Sequence, residues 1–297
     1  MGCACGVATE VAALSLDRSG GPMSLDRREY PYLAAFLIPA LIVFAAFFLL
    51  PMTKLITIGG SGEAGFREYL TVINTPRHFE SLVATVILSA ATTLAALVIS
   101  TISGVFLERN RFTGREALIS MLTLPLAFPG VVIGFLVIML GGRQGLVNEI
   151  STTLTGTRVV FAYSMTGLFV GYLYFSIPRV ILTIMAAAEK LNPALEEAAR
   201  SLGASRWRVV RDIILPALKP ALIASGAICF ATSMGAFGTA FTLATNIDVL
   251  PMTIYTEFTL NANIVTAAAL SIILGIITWF ALYIARSLAG STIAAAA

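Results

Sequence analysis

The stretch LVATVILSAATTLAALVISTISGVF, Leu82 to Phe106, runs for 25 residues without a single charge, and its reading decides the class of fold. A helix rises 1.5 Å per residue, so about 20 apolar residues cross the roughly 30 Å hydrocarbon core of a bilayer. Five more stretches meet that test: Tyr32–Leu50 ahead of Pro51, Ala117–Leu140 carrying Pro125 and Pro129-Gly130, Val160–Ala188 through Pro178, a run from Lys219-Pro220 to Thr245, and Ile264–Ile284. Across 297 residues 58% are hydrophobic and 12% charged, about half the charge of a soluble domain. One soluble core of this length cannot hide so much apolar surface. Water-soluble enzyme, nucleic-acid binder and disordered scaffold are therefore poor readings, and the chain reads as an all-α integral membrane protein with six transmembrane helices. Prolines inside spans remove backbone hydrogen bonds and kink the helix. Neighbouring helices must cover the freed carbonyls, which favours a packed bundle over a lone anchor.

The net charge of +3 says less than where the basic residues stand. Thirteen fall on one side of the expected membrane: Arg18, Arg27 and Arg28 before the first span, Arg109, Arg111 and Arg115 after the second, Lys190, Arg200, Arg206, Arg208, Arg211 and Lys219 after the fourth, and Arg286 at the tail. Five fall on the other side, Lys54, Arg67, Arg77, Arg143 and Arg158, with Arg179 near the end of the fourth span. The positive-inside rule then places both termini in the cytoplasm.

Between their ends the spans hold almost no ionisable group. Arg179 is the exception, and its place towards the cytoplasmic end lets a long side chain snorkel to the interface. Ion-coupled carriers keep an Asp, Glu or His within the bundle to bind the coupling ion, and none stands there. No Gly-Lys dipeptide occurs, so the chain has no phosphate-binding loop of the G-x-x-x-x-G-K-[ST] kind. Energy for uphill movement must come from another subunit. Three cysteines, Cys3, Cys5 and Cys229, and the lone His78 give neither a disulfide framework nor a Cys/His metal site. His78 falls in an outer connection and reads as a solvated loop residue. Met23 is a second candidate start, and residues 1–22 carry no assigned role.

The most informative connection is EKLNPALEEAARSLGASRWRVVRDIILP, Glu189 to Pro216. Asn192 suits an N-cap, and Pro193 suits the first helical position, where its missing N–H costs nothing. Glu196 and Glu197 follow near the positive end of the helix dipole. Leu195, Ala198, Ala199 and Leu202 make one apolar stripe, and Gly203 permits a left-handed stop. Ser205 caps a second short helix with Trp207, Val210 and Ile214 on one side, ended by Pro216. Two uses fit this helix–turn–helix: docking to a partner protein, or lying on lipid headgroups with its arginines on phosphates.

Glu197-Ala198-Ala199, Gly203, Ile213 and Leu215-Pro216 match the pattern E-A-A-x3-G-x9-I-x-L-P at every fixed position. In this the chain resembles the permease subunits of bacterial ABC importers, over about residues 75–288. The resemblance implies a type I importer permease fold: a leader over 1–31 expected to be poorly ordered, a six-helix domain over 32–288 with a coupling loop at 189–216, and a tail over 289–297. It implies a multi-pass protein of the bacterial inner membrane without catalytic residues or cofactors of its own, ATP and Mg being held by a partner ATPase. The implied partners are two ATP-binding cassette subunits, a second permease subunit (homologous or identical), an extracytoplasmic solute-binding protein and membrane lipid, with no nucleic acid. The implied ATPase-docking set is Glu196, Glu197, Ala198, Ala199, Arg200, Leu202, Gly203, Ala204, Ile213, Leu215 and Pro216.

In the fifth span Ala227, Ala231 and Gly235 repeat every four residues, a face that lets helices approach closely. Packing is the favoured reading of these small residues; Ser233, Gly235, Phe237 and Gly238 are the candidates for lining a translocation path. The runs at 122–130 and 201–207 look similar to permeases for polyamines, ferric iron, aminoethylphosphonate, and sulfate or molybdate. Tyr172–Pro178, the loop and the last span lean towards the spermidine/putrescine type, so a polyamine is the expected solute. Leu202-Gly203-Ala204, where sugar permeases more often carry Asp-Gly-Ala, makes sugars a poorer fit.

Overall fold

The computed structural model describes residues 30–62, 65–243 and 247–289, and among these every regular element is helical. Six helical stretches are long and apolar enough to cross a membrane. Residues 1–29 of the expected leader, with Cys3, Cys5 and Met23, and residues 290–297 of the expected tail lie outside the described residues, and Tyr30 and Pro31 already belong to the first helix. The chain divides into one unit ending at Thr53 and a second beginning at Lys54.

In the first unit, α1 (Tyr30–Phe44) passes through a π-helical turn (Ala45–Leu49) into α2 (Leu50–Gly59), which continues into the second unit. Pro51 therefore does not end the first span as expected. The wider π turn before it accommodates a ring and a missing N–H that an α register would not.

The second unit is built around α4 (Pro76–Arg109) and α8 (Met165–Glu189). Leu88 clusters with Leu168 and Tyr172, Ala96 with Val180 and Ile184, and Leu107 with Ile181 and Met185. Both numbers rise together, so the two helices run parallel. Gly104 lets α8 close in, with Ile184 Cγ2 only 3.1 Å from where a Cβ would stand, and Ser100 donates to Ile177 O at 3.2 Å. Phe161 and Ala162, just ahead of α8, both donate to Gly141 O at 3.0 Å, which marks the end opposite the basic connections. On that side α3 (Glu68–Asn74) lays Val72 against Ala269, Leu270 and Ile273 of α14 (Ile264–Ala289).

Two expected spans are broken. The third comprises α5 (Arg115–Thr123), a 3-10 turn (Leu124–Ala127) opened by Pro125, and α6 (Gly130–Gly141), for which Pro129 is the N-cap. The amphipathic α7 (Leu146–Thr155) follows, tied back by Asn148 Nδ2 donating to Arg143 O at 2.6 Å. The fifth begins earlier than expected. α9 (Pro193–Ser201) is followed by α10 (Arg206–Val209), a π turn (Val210–Ile214) and α11 (Leu215–Met234), and the last three form one helical rod of 29 residues, Arg206–Met234. Pro216 falls in the first turn of α11, directly after the π turn, and ends nothing. The rod stops at Gly235, where α12 (Phe237–Leu243) starts after a break. α13 (Leu250–Tyr255) and a π turn (Thr256–Leu260) then lead to α14.

The two broken segments pack on each other through glycines: a Cβ on Gly134 would stand 2.5 Å from Thr242 Cβ, and one on Gly238 would stand 3.1 Å from Val131 N. His78 is not a solvated loop residue. The connection from α3 to α4 is the single residue Thr75, so the ring folds under α3, with Nδ1 3.1 Å from Val72 O and Nε2 3.6 Å from Glu257 Oε1.

Gly134→Val forces two β-branched side chains into one space, and overpacking of this kind costs about 1–3 kcal/mol. Thermal unfolding in detergent should show a clear loss of Tm. Gly275→Ala, on a helix face with nothing within 4 Å, should hold or raise it, since Ala is favoured in helices by about 0.5–1 kcal/mol.

Candidate functional site

Two regions gather the residues singled out in the sequence. The first is the connection α9–α10. Asn192 Oδ1 accepts from Ala194 N at 3.0 Å and caps α9, with Pro193 in its first turn. At the other end Gly203 adopts φ +82, Ala204 N donates to Ala199 O at 3.0 Å, and Gly203 N donates to Arg200 O at 2.9 Å. This pair of bonds is a Schellman stop, which needs a residue tolerant of positive φ. Ser205 Oγ then accepts from Arg208 N at 3.3 Å and starts the next helix.

The apolar stripe does not fall on one surface. Ala199 and Ala204 pack into the core with Val209, Ile213 and Ile214. Leu195 is 58% exposed, Leu202 90% and Trp207 70%. Glu197, Ala198, Arg200, Gly203 and Pro216 are exposed, whereas Glu196, Ala199, Ala204, Ile213 and Leu215 are partly covered by the chain itself. The two adjacent glutamates differ most. Glu196 turns inward and pairs with Arg109 at the end of α4, while Glu197 faces out. Arg115 lies 8% exposed beneath, donating from Nε to Leu107 O at 2.7 Å and from Nη2 to Glu108 at 3.0 Å. The sequence reading counted Arg109 and Arg115 only as surface charge. The tie made by Arg109 was hidden because its partner Glu196 lies 87 residues away, whereas Arg115 folds back on Leu107 and Glu108 nearby in the chain.

The second region is a cleft of about 400 Å³ between the two helix breaks, lined among others by Pro125, Phe128, Arg179, Thr232, Gly235, Phe237 and Gly238. Its walls are sewn together across the breaks. Tyr172, 1% exposed, donates its hydroxyl to Ala236 O at 2.7 Å, and Thr239 donates to Gly130 O at 3.0 Å. Three of the four path candidates, Gly235, Phe237 and Gly238, come together here. Ser233 does not: it is fully buried, two residues before the break at Gly235, with a hydroxyl that has no partner among the described residues. Nor is Gly235 a packing residue, since a Cβ on it would meet only Ala231 O, at 3.9 Å. The close approaches instead use Gly130, Gly134 and Gly238, which the every-fourth-residue pattern did not contain. Arg179, read as an interfacial side chain, lines this cleft and is the one ionisable group that does so among the described residues.

Against this geometry, residues 96–290 match the family described as the binding-protein-dependent transport system inner membrane component. The chain is 32% identical over 229 residues to the sulfate transport system permease protein CysT of Escherichia coli, covering 75% of this chain and 78% of that one. It is 36% identical over 179 residues to the molybdenum transport system permease protein ModB of the same species, covering 58% and 77%. In fold it resembles a chain of a bacterial alginate ABC transporter crystallised with a pentasaccharide-bound periplasmic protein, with a TM-score of 0.76, 22% identity, and 89% and 95% of the two chains covered. The chain belongs to the binding-protein-dependent transport system inner membrane component family.

Glu196→Ala or Arg109→Ala should loosen α9 by about 1.5–3 kcal/mol, the usual worth of a charge-assisted hydrogen bond. Hydrogen exchange read at 193–201 should rise in each single variant, and the double variant Arg109→Glu/Glu196→Arg should restore part of the protection. Equal exchange in all four proteins would show that the pair does not hold the loop.

Proposed function

We propose that this inner-membrane permease subunit forms half of a translocation path for a tetrahedral oxyanion, and that an ATPase drives it through the α9–α10 connection. Family membership makes the chain a transport component of the bacterial inner membrane and not an enzyme. In this reading both termini lie in the cytoplasm, on the side of the thirteen basic residues. Two ATP-hydrolysing subunits carrying ATP and Mg, a second permease and an extracytoplasmic solute receptor complete the assembly. The observation that carries the coupling role is the exposed tip: Leu202 and Glu197 stand free on a capped, Schellman-stopped helix, while Ala199 and Ala204 root it in the core. The next helix continues unbroken into α11, so displacement of the tip is delivered to the span as the motion of one rod.

The solute class is supported by relatives whose names are sulfate and molybdenum permeases. The polyamine expectation gains no support from them, and the cleft agrees: among the described residues no carboxylate lines it. A polycation passing a water-poor segment needs opposite charge there. An anion does not find itself repelled by these walls.

Burying a leucine side chain is worth about 1.5–3 kcal/mol. Leu202→Asp should therefore weaken co-purification of the cognate ATPase about tenfold or more, and Glu197→Lys should also lower it. Because both side chains are exposed, folding stability should stay within about 0.5 kcal/mol. Gly203→Val, strained at positive φ, should lower transport as well. Full ATPase recruitment and full uptake in all three variants would reject the coupling role.

A further inference from the structure

The cleft between the helix breaks holds one charge with nothing opposite it. Arg179 sits ten residues from the end of α8, about 15 Å along a helix axis, within the stretch long and apolar enough to cross a membrane. Apart from the terminal Glu189, α8 has no other ionisable group of charge at neutral pH. Arg179 is partly covered and lines the cleft. Among the described residues it makes no ion pair, a state it shares with exposed arginines such as Arg200 and Arg206, but unlike them it is partly covered and faces a cleft. The other polar side chains around it are spent on backbone carbonyls: Thr232 donates to Ile228 O at 2.9 Å and Thr239 to Gly130 O at 3.0 Å. A guanidinium offers five N–H donors in a planar fork that fits two oxygens of an oxyanion. An arginine inside a membrane span is costly, and it is kept facing a cavity or a partner where it serves a path.

We infer that Arg179 is the counter-charge of the translocation path, a weak station that draws a dianionic tetrahedral oxyanion from the released receptor into the cleft between the two helix breaks. One unpaired arginine is enough to lower the barrier for an anion and too little to trap it, and passage needs both conditions. This rests on the oxyanion reading above and deepens it. The same guanidinium disfavours cations, so it also acts as a charge filter.

The test uses the complete transporter in proteoliposomes with its receptor, ATP-driven uptake of labelled sulfate and molybdate being measured for Arg179→Lys, Arg179→Gln, Arg179→Met and Arg179→Glu. Receptor binding of the two anions is measured separately. Loss of a charged hydrogen-bond donor corresponds to about tenfold to a hundredfold, so uptake by the Gln and Met variants should fall by that factor, Lys should retain an intermediate rate, and Glu should be lowest, with normal co-purification of the ATPase. Parental uptake by the Met variant, which keeps the apolar stem, would overturn the proposal. So would equal loss in all four variants together with failed assembly, since that marks a packing role. If the receptor binds neither anion, the oxyanion reading itself falls. If it binds them and the charge order is absent, only the role of Arg179 falls.

Discussion

Hydrocarbon offers no partner to a backbone N–H or C=O, so each break in a spanning helix has to be satisfied from within the protein. This constraint accounts for most of what is particular to the chain. The third and fifth spans are both interrupted, at Leu124–Pro129 and at Gly235–Ala236, and the interruptions face each other. Tyr172 supplies the hydroxyl for Ala236 O, and Thr239 supplies one for Gly130 O. Glycines at 130, 134 and 238 let the two segments come close enough for those bonds to form. The cleft is the space left where neither helix continues. A break stitched in this way exposes irregular backbone only to protein or to a cavity, the arrangement by which transport proteins carry polar surface through a membrane.

The same parts explain how a distant push could reach that cleft. The α9–α10 connection is held to the body at three points: by Arg109 on Glu196, by Ala199 and Ala204 in the core, and by the continuous rod into α11. Its free surface is small and specific, with Glu197 beside Leu202. The rod ends at Gly235, which is itself a wall of the cleft. A tilt of α11 driven from the loop moves that wall directly, without a chain of intermediate contacts. Two conformations stabilised differently by a partner's nucleotide state are all that such a device needs.

The sequence reading was strongest where the signal is local or compositional. Asn192, Pro193, Gly203 and Ser205 mark helix ends through bonds that reach only a few residues along the chain, and the structure has each bond in place. The apolar runs overlap all six helical stretches long enough to cross a membrane, because hydrocarbon thickness sets their length, although the third such stretch is Gly130–Thr155 and not Ala117–Leu140. Reading failed at proline. Pro51 and Pro216 looked like stops and are not, because a π turn just ahead of each absorbs the missing N–H, whereas Pro125 and Pro129 do break their helix. Nothing local distinguishes these cases. His78 was misplaced for a related reason: only the folding of α3 over α4 and the approach of Glu257 bury it.

What the residues determined unaided is therefore the membrane class, the number of crossings, the side bearing most positive charge, and the capped helix–turn–helix of the Glu189–Pro216 connection. Each of these follows from transfer free energy, element length or short-range hydrogen bonding. Only the tertiary structure decided that Glu196 is an internal tie while its neighbour Glu197 faces out, that Ser233 is buried away from the cleft, and that Arg179 lines it. Those outcomes depend on which helices lie side by side, and that is set by close approach between residues far apart in the chain, such as Thr85 and Leu250 at 165 positions, a distance over which sequence periodicity carries no information.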